Sequence, residues 1–143
     1  MLLHDGIPIV YYGAEQLFNG CNDPDNREPL WTTGYKTDTE MYSFLGKIVD
    51  TRKKHQVWKE EAVERWVDDT FYAWSKGDVF VATTNQDNGT QSRKVTFLPY
   101  QEGQTVCNVH NPSECITVQG GALDVSLDGG AKVFAPQTSL ETN

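Results

Sequence analysis

The chain lacks the features that would send it to a membrane, a nucleic acid or a metal. None of its apolar runs approaches the roughly 20 residues needed to cross a bilayer as a helix. Basic residues are scarce, with 12 Lys and Arg against 20 Asp and Glu, for a net charge of −8. That balance repels a phosphate polyanion, so nucleic acid is not an expected partner. The 3 histidines, His4, His55 and His110, are scattered, and no CxxC spacing suggests a metal site. With only 3 cysteines, complete internal pairing is impossible. There is no internal repeat and no low-complexity segment.

What is present is globular composition: 143 residues, 38% hydrophobic and 11% aromatic, enough for one ordinary domain or two small ones. The N-terminus, MLLHDGIPIV, has neither a basic region nor a small-residue cleavage site, so it does not read as a secretory leader. Met1 reads instead as an internal residue of a longer protein. Cys107 and Cys115 flank the turn signal Asn111-Pro112, and their loop could close. If bridged, the gain would be about 2–3 kcal/mol on the loop-entropy model. Cys21 would then be free or paired outside the chain.

The pattern of residues changes once along the chain. Ile7–Tyr12 is a short continuous apolar run between Gly6 and Gly13, the pattern of a strand buried on both faces in a parallel sheet. Residues 18–34 are rich in Asn, Asp, Gly and Pro and read as a long loop. A helix is predicted over Thr37–His55. Thr37 and Glu40 form a capping-box pattern, and Met41, Phe44, Leu45, Ile48 and Val49 make one apolar stripe. Arg52, Lys53, Lys54 and His55 crowd its last turn, where the helix dipole favours positive charge.

Beyond Val57 no helical period survives. Short apolar runs follow at Ala62–Val67, Phe71–Trp74, Val79–Ala82, Val95–Leu98, Val106–Val109, Cys115–Val118, Leu123–Leu127 and Val133–Ala135, separated by turn residues. Leu123, Val125 and Leu127 alternate with Asp124, Ser126 and Asp128, as in a strand with one wet face. This spacing predicts an antiparallel sandwich. The expected division is residues 1–57, strand, loop and helix, and residues 58–143, an all-β domain. Asn88-Gly89-Thr90 is a glycosylation sequon in a predicted hairpin turn, which makes Asn88 a modification candidate and offers weak support for secretion.

The chemistry-bearing pair is Asp23 and Arg27, in the loop after the first predicted strand. A carboxylate can accept hydrogen bonds from neighbouring sugar hydroxyls, and a guanidinium offers a planar fork of donors. Together they could grip one glucose ring; they could equally form a plain loop ion pair stiffened by Pro24. Glu15 is a further carboxylate in this stretch. Trp58, Trp66 and Trp74 are expected to be buried in the β domain or at its seam with the preceding unit rather than to stack on sugars.

Two motifs carry a family resemblance. The segment GIPIVYYGAEQ, with Gly6, Pro8, Tyr11, Gly13 and Glu15, and the ungapped Asp23-Pro24-Asp25-Asn26-Arg27 resemble the end of the catalytic barrel in the α-amylase family, glycoside hydrolase family 13. The wording is nearest to eukaryotic, fungal-type members. The resemblance implies the last β/α unit of a (β/α)8 barrel, in which loops at the C-terminal strand ends build the active site, followed by the antiparallel domain C. It implies cleavage of α-1,4-glucosidic bonds in starch, glycogen or maltooligosaccharides by a secreted, retaining enzyme. It implies that Asp23 and Arg27 hold a sugar on the non-reducing side of the cleaved bond. It also implies an incomplete and inactive chain, because the family's catalytic carboxylates and the calcium of the full-length enzyme lie upstream; no catalytic residue and no metal ligand is assigned here. A cyclodextrin glucanotransferase or another family-13 enzyme shares the motifs. A non-catalytic β-sandwich binding module would explain residues 59–143 equally well.

Overall fold

The computed structural model describes residues 1–20 and 22–140, so the expectation for Cys21 lies outside the described residues. Among the described residues eight antiparallel strands form two sheets. Six of them lie in the order β1-β2-β3-β8-β5-β6, and β4 and β7 form a second sheet. The strands are β1 Ala62–Val67, β2 Phe71–Lys76, β3 Val79–Thr84, β4 Thr90–Val95, β5 Thr105–Asn108, β6 Cys115–Thr117, β7 Leu123–Asp128 and β8 Lys132–Pro136. Helix α1 spans Glu40–Lys54, and a short α2 spans Gln137–Leu140.

Period-2 patterning builds the core between the sheets. Leu123, Val125 and Leu127 of β7 are fully buried, against Phe71, Phe80 and Phe134 from the larger sheet. Gly77, at φ +58°, makes the tight corner between β2 and β3 that a side chain would strain. Asp68, in the β1–β2 turn, joins the two sheets: it accepts from Arg93 Nε of β4 and Trp66 Nε1, both at 2.7 Å. The Arg93 guanidinium, then the Trp66 and Thr70 N–H groups, holds its carboxyl far below the usual carboxylate range. Cys107 and Cys115 stand opposite each other on β5 and β6 and are joined by a disulfide.

The larger sheet is covered on its other face too. Ile48 of α1, Val57 and Leu3 pack there against Val79, Val81 and Val133. Polar contacts fix this seam. Trp74 Nε1 donates to Leu3 O at 2.7 Å, and Arg52 to Leu2 O at 2.6 Å. His55 Nδ1 lies 2.7 Å from Asp78, and His110 stacks on Phe44 with centroids 4.2 Å apart. Burial, then the nearby Lys47 charge, pulls the His110 imidazole below its ordinary value.

Four expectations need correction. Ile7–Tyr12 is not paired as a strand here: no strand among the described residues lies beside this segment, and a strand exists only through hydrogen bonds to a neighbour. The run stays open, with Ile7 89% and Ile9 72% exposed. The helix is capped by Thr39 and not Thr37, because the Thr39 hydroxyl both accepts from Tyr42 N at 3.1 Å and donates to Glu15 O at 2.8 Å. β4 runs over Thr90–Val95 rather than Val95–Leu98, since it must match β7 residue for residue from Thr90↔Asp128 to Val95↔Leu123. Trp58 is exposed, whereas Trp74 sits at the seam and Trp66 packs half-buried against the core.

Candidate functional site

The loop that carries Asp23 and Arg27 is shaped by two glycines. Gly13 is buried at φ +84°, and a Cβ there would lie 2.1 Å from the Phe18 ring. Its carbonyl accepts from Gln16 N at 2.9 Å and Phe18 N at 3.0 Å, closing a single 3-10 turn over Ala14–Gln16. Gly20 is needed for space and not for φ: a Cβ there would lie 2.2 Å from Asp25 O. That close approach folds residues 22–27 back over Gly20, whose N–H donates to Glu28 Oε1 at 3.2 Å.

Two backbone bonds hold the loop's curvature, Asn26 N to Asn22 O at 3.1 Å and Arg27 N to Pro24 O at 3.0 Å. The Asp23–Pro24 peptide is cis. The loop base is tied to the helix start by Thr39 and by Gln16 Nε2, which donates to Lys36 O at 2.7 Å.

This folding brings the two candidate residues together. Arg27 Nε lies 3.1 Å from Asp23 Oδ1, and the side chains are 67% and 63% exposed. A pair so open to water adds little stability. It leaves a carboxylate oxygen and the terminal guanidinium donors facing solvent, an arrangement able to take a vicinal diol: hydroxyls donate to the carboxylate and accept from the guanidinium. Arg27 is near enough to Tyr12 for its charge to act on the phenol. Desolvation raises the Tyr12 phenol first, the adjacent Tyr11 adds to that, and Arg27 works in the opposite direction.

The remaining candidates fall elsewhere. Glu15 uses its backbone carbonyl to hold Thr39. Asn88 lies on the surface between β3 and β4. Among the described residues no group of three His, Cys, Asp or Glu side chains could hold a metal ion. Trp31 is a further exposed aromatic near this loop. It is 70% exposed on the 3-10 turn Leu30–Thr33 that follows the loop, and its signal was an unpaired aromatic in a polar, proline-containing stretch. Beside the loop, an open apolar cavity of about 630 Å³ is lined by Ile9, Val10, Tyr11, Leu17, Phe18 and Met41, among others.

No protein-family model matches the chain. By sequence and by fold it is nonetheless similar to α-amylases, fungal ones among them. α-Amylase 1 of Schwanniomyces occidentalis is 33% identical over 98% of this chain, and an α-amylase structure from Malbranchea cinnamomea superposes with a TM-score of 0.88 at 33% identity over 99% of it. The chain spans only 30% and 32% of those two proteins. A γ-CGTase from alkalophilic Bacillus clarkii shares the fold, with a TM-score of 0.71 at 22% identity over 93% of this chain.

Proposed function

We propose that the chain is the C-terminal part of a secreted, retaining α-amylase that hydrolyses α-1,4-glucosidic bonds in starch, glycogen and maltooligosaccharides. In this reading Asp23 and Arg27 grip one glucose unit, and residues outside the chain supply the nucleophile and the acid. A retaining glycosidase needs two carboxyl groups about 5 Å apart across the scissile bond. Residues 1–57 complete a barrel whose other strands cover Ile7–Tyr12, and residues 58–143 form domain C. The observation that carries the reading is the joint one: α-amylase likeness over nearly the whole chain, with the Asp-Pro-Asp-Asn-Arg loop folded so that its charged pair faces solvent. Calcium is expected in the full-length enzyme, held by residues outside this chain.

The test is kinetic and uses the chain joined to an upstream barrel. Asp23→Ala and Arg27→Ala each remove charged hydrogen bonds to substrate and lower kcat/KM on maltooligosaccharides roughly 10- to 100-fold. Unchanged kcat/KM in both variants would exclude the pair from the site. The shared fold with a γ-CGTase keeps a transglycosylase as the second reading. Cyclic rather than linear products would select it. Appreciable binding of the chain alone to soluble starch would favour a free-standing binding module instead.

A further inference from the structure

The turn between β3 and β4 holds the chain's one Asn-x-Ser/Thr sequence with a residue other than proline in the middle, Asn88-Gly89-Thr90. The other near match, Asn111-Pro112-Ser113, is barred by its proline. The folded chain treats Asn88 differently from the asparagines around it. Asn85 uses its amide nitrogen to hold Asp69 O at 2.9 Å, and Asn111 accepts from Ser113 Oγ at 2.6 Å. Asn88 is exposed and has no hydrogen-bond partner among the described residues. The space around it is open: a Cβ added at Gly89, which sits at φ +80°, would meet nothing within 4 Å. An oligosaccharide attached here displaces no contact of the fold.

Two further observations agree. The Cys107–Cys115 disulfide requires an oxidising compartment, the kind in which asparagine-linked glycans are added. β4 begins at Thr90, pairs only with β7 and has its other edge open among the described residues. A bulky hydrophilic group one turn before that edge blocks strand addition by a second molecule.

We propose that Asn88 carries an N-linked glycan. The donor is a lipid pyrophosphate-linked oligosaccharide. The Asn88 Nδ2–C1 bond forms as the C1–O bond to pyrophosphate breaks; the lipid pyrophosphate leaves with the electron pair, and the amide nitrogen gives up one proton to base. Transfer precedes folding, because in the folded chain the Thr90 hydroxyl donates to Asp128 Oδ1 at 2.8 Å and is no longer free to assist.

This inference rests on the secretion part of the reading above and not on α-glucan chemistry. The test is to produce the chain behind a cleavable secretory leader in a yeast host and to measure intact mass before and after peptide-N-glycosidase, on secreted and cell-retained protein alike. Wild type and Thr90→Ser should carry a glycan mass that the enzyme removes, leaving Asp at position 88. Asn88→Gln and Thr90→Ala should carry none. A wild-type chain unmodified at Asn88 in both pools overturns the proposal, as does a glycan mass that survives Asn88→Gln. Because starch hydrolysis is not read, a glycosylated chain supports the inference even where the α-amylase reading fails.

Discussion

The ammonium of Lys76, buried in β2, ends on the carboxylate of Asp5, a residue 71 positions earlier in the chain. With the Trp74–Leu3 and Arg52–Leu2 bonds, this contact fastens the first residues across the β sheet.

That pairing makes Asp5 the partner whose loss matters more. Asp5→Ala leaves a 5%-exposed ammonium without its counter-charge, whereas Lys76→Met removes the charge and keeps the stem. Thermal unfolding should show the larger loss of Tm for Asp5→Ala. The pH dependence follows in sign. The hydrogen bond from Lys76 holds the folded Asp5 carboxyl below its ordinary 3.8, so this contribution is present above that value and fades as pH falls through the folded one. An acid-unfolding curve for Asp5→Asn should lose that part of its slope.

Tyr100 is a second buried polar anchor. It is 8% exposed, its hydroxyl donates to Asp78 O at 2.9 Å, and burial keeps the phenol firmly protonated. Tyr100→Phe keeps the ring and strands a carbonyl, which costs about 1–2 kcal/mol. Urea unfolding should show a lower midpoint with an unchanged slope, since the surface exposed on unfolding is the same.

Amide hydrogen exchange separates the parts of the N-terminal region. In monomeric chain, Ile7–Tyr12 should exchange rapidly, because no neighbouring strand takes its N–H groups. The middle of α1, where Ile48 and Thr51 are buried, should be protected along with β2, β3 and β8. Strong protection of Ile7–Tyr12 in a monomer would contradict the structure and the proposed role of missing barrel strands as its cover.

Where local chemistry decides a feature, the residues alone announced it. The β7 alternation of Leu123, Val125 and Leu127 with polar neighbours matched its burial, because a strand's period of two puts every second side chain in the core. The basic last turn of α1 and the mostly short-stranded half after Val57 were legible for similar reasons. The motif from Asp23 to Arg27 could be read as a unit because glycine, proline and charge signals sit next to one another in the chain.

Features that depend on distant partners were not legible. Thr37 had the better capping pattern, but a hydrogen bond to Glu15, 24 residues away, gave the cap to Thr39. The β4 boundary was set by its register with β7, and the exposure of Trp58 by what the seam left uncovered. By itself the sequence determined which segments were able to become strands or helix, through periodicity and turn chemistry. Tertiary structure alone decided which of them did: Ala62–Val67, charged at Glu64 and Arg65, found β2 beside it and became a strand, while the more apolar Ile7–Tyr12 had no hydrogen-bonding neighbour and did not.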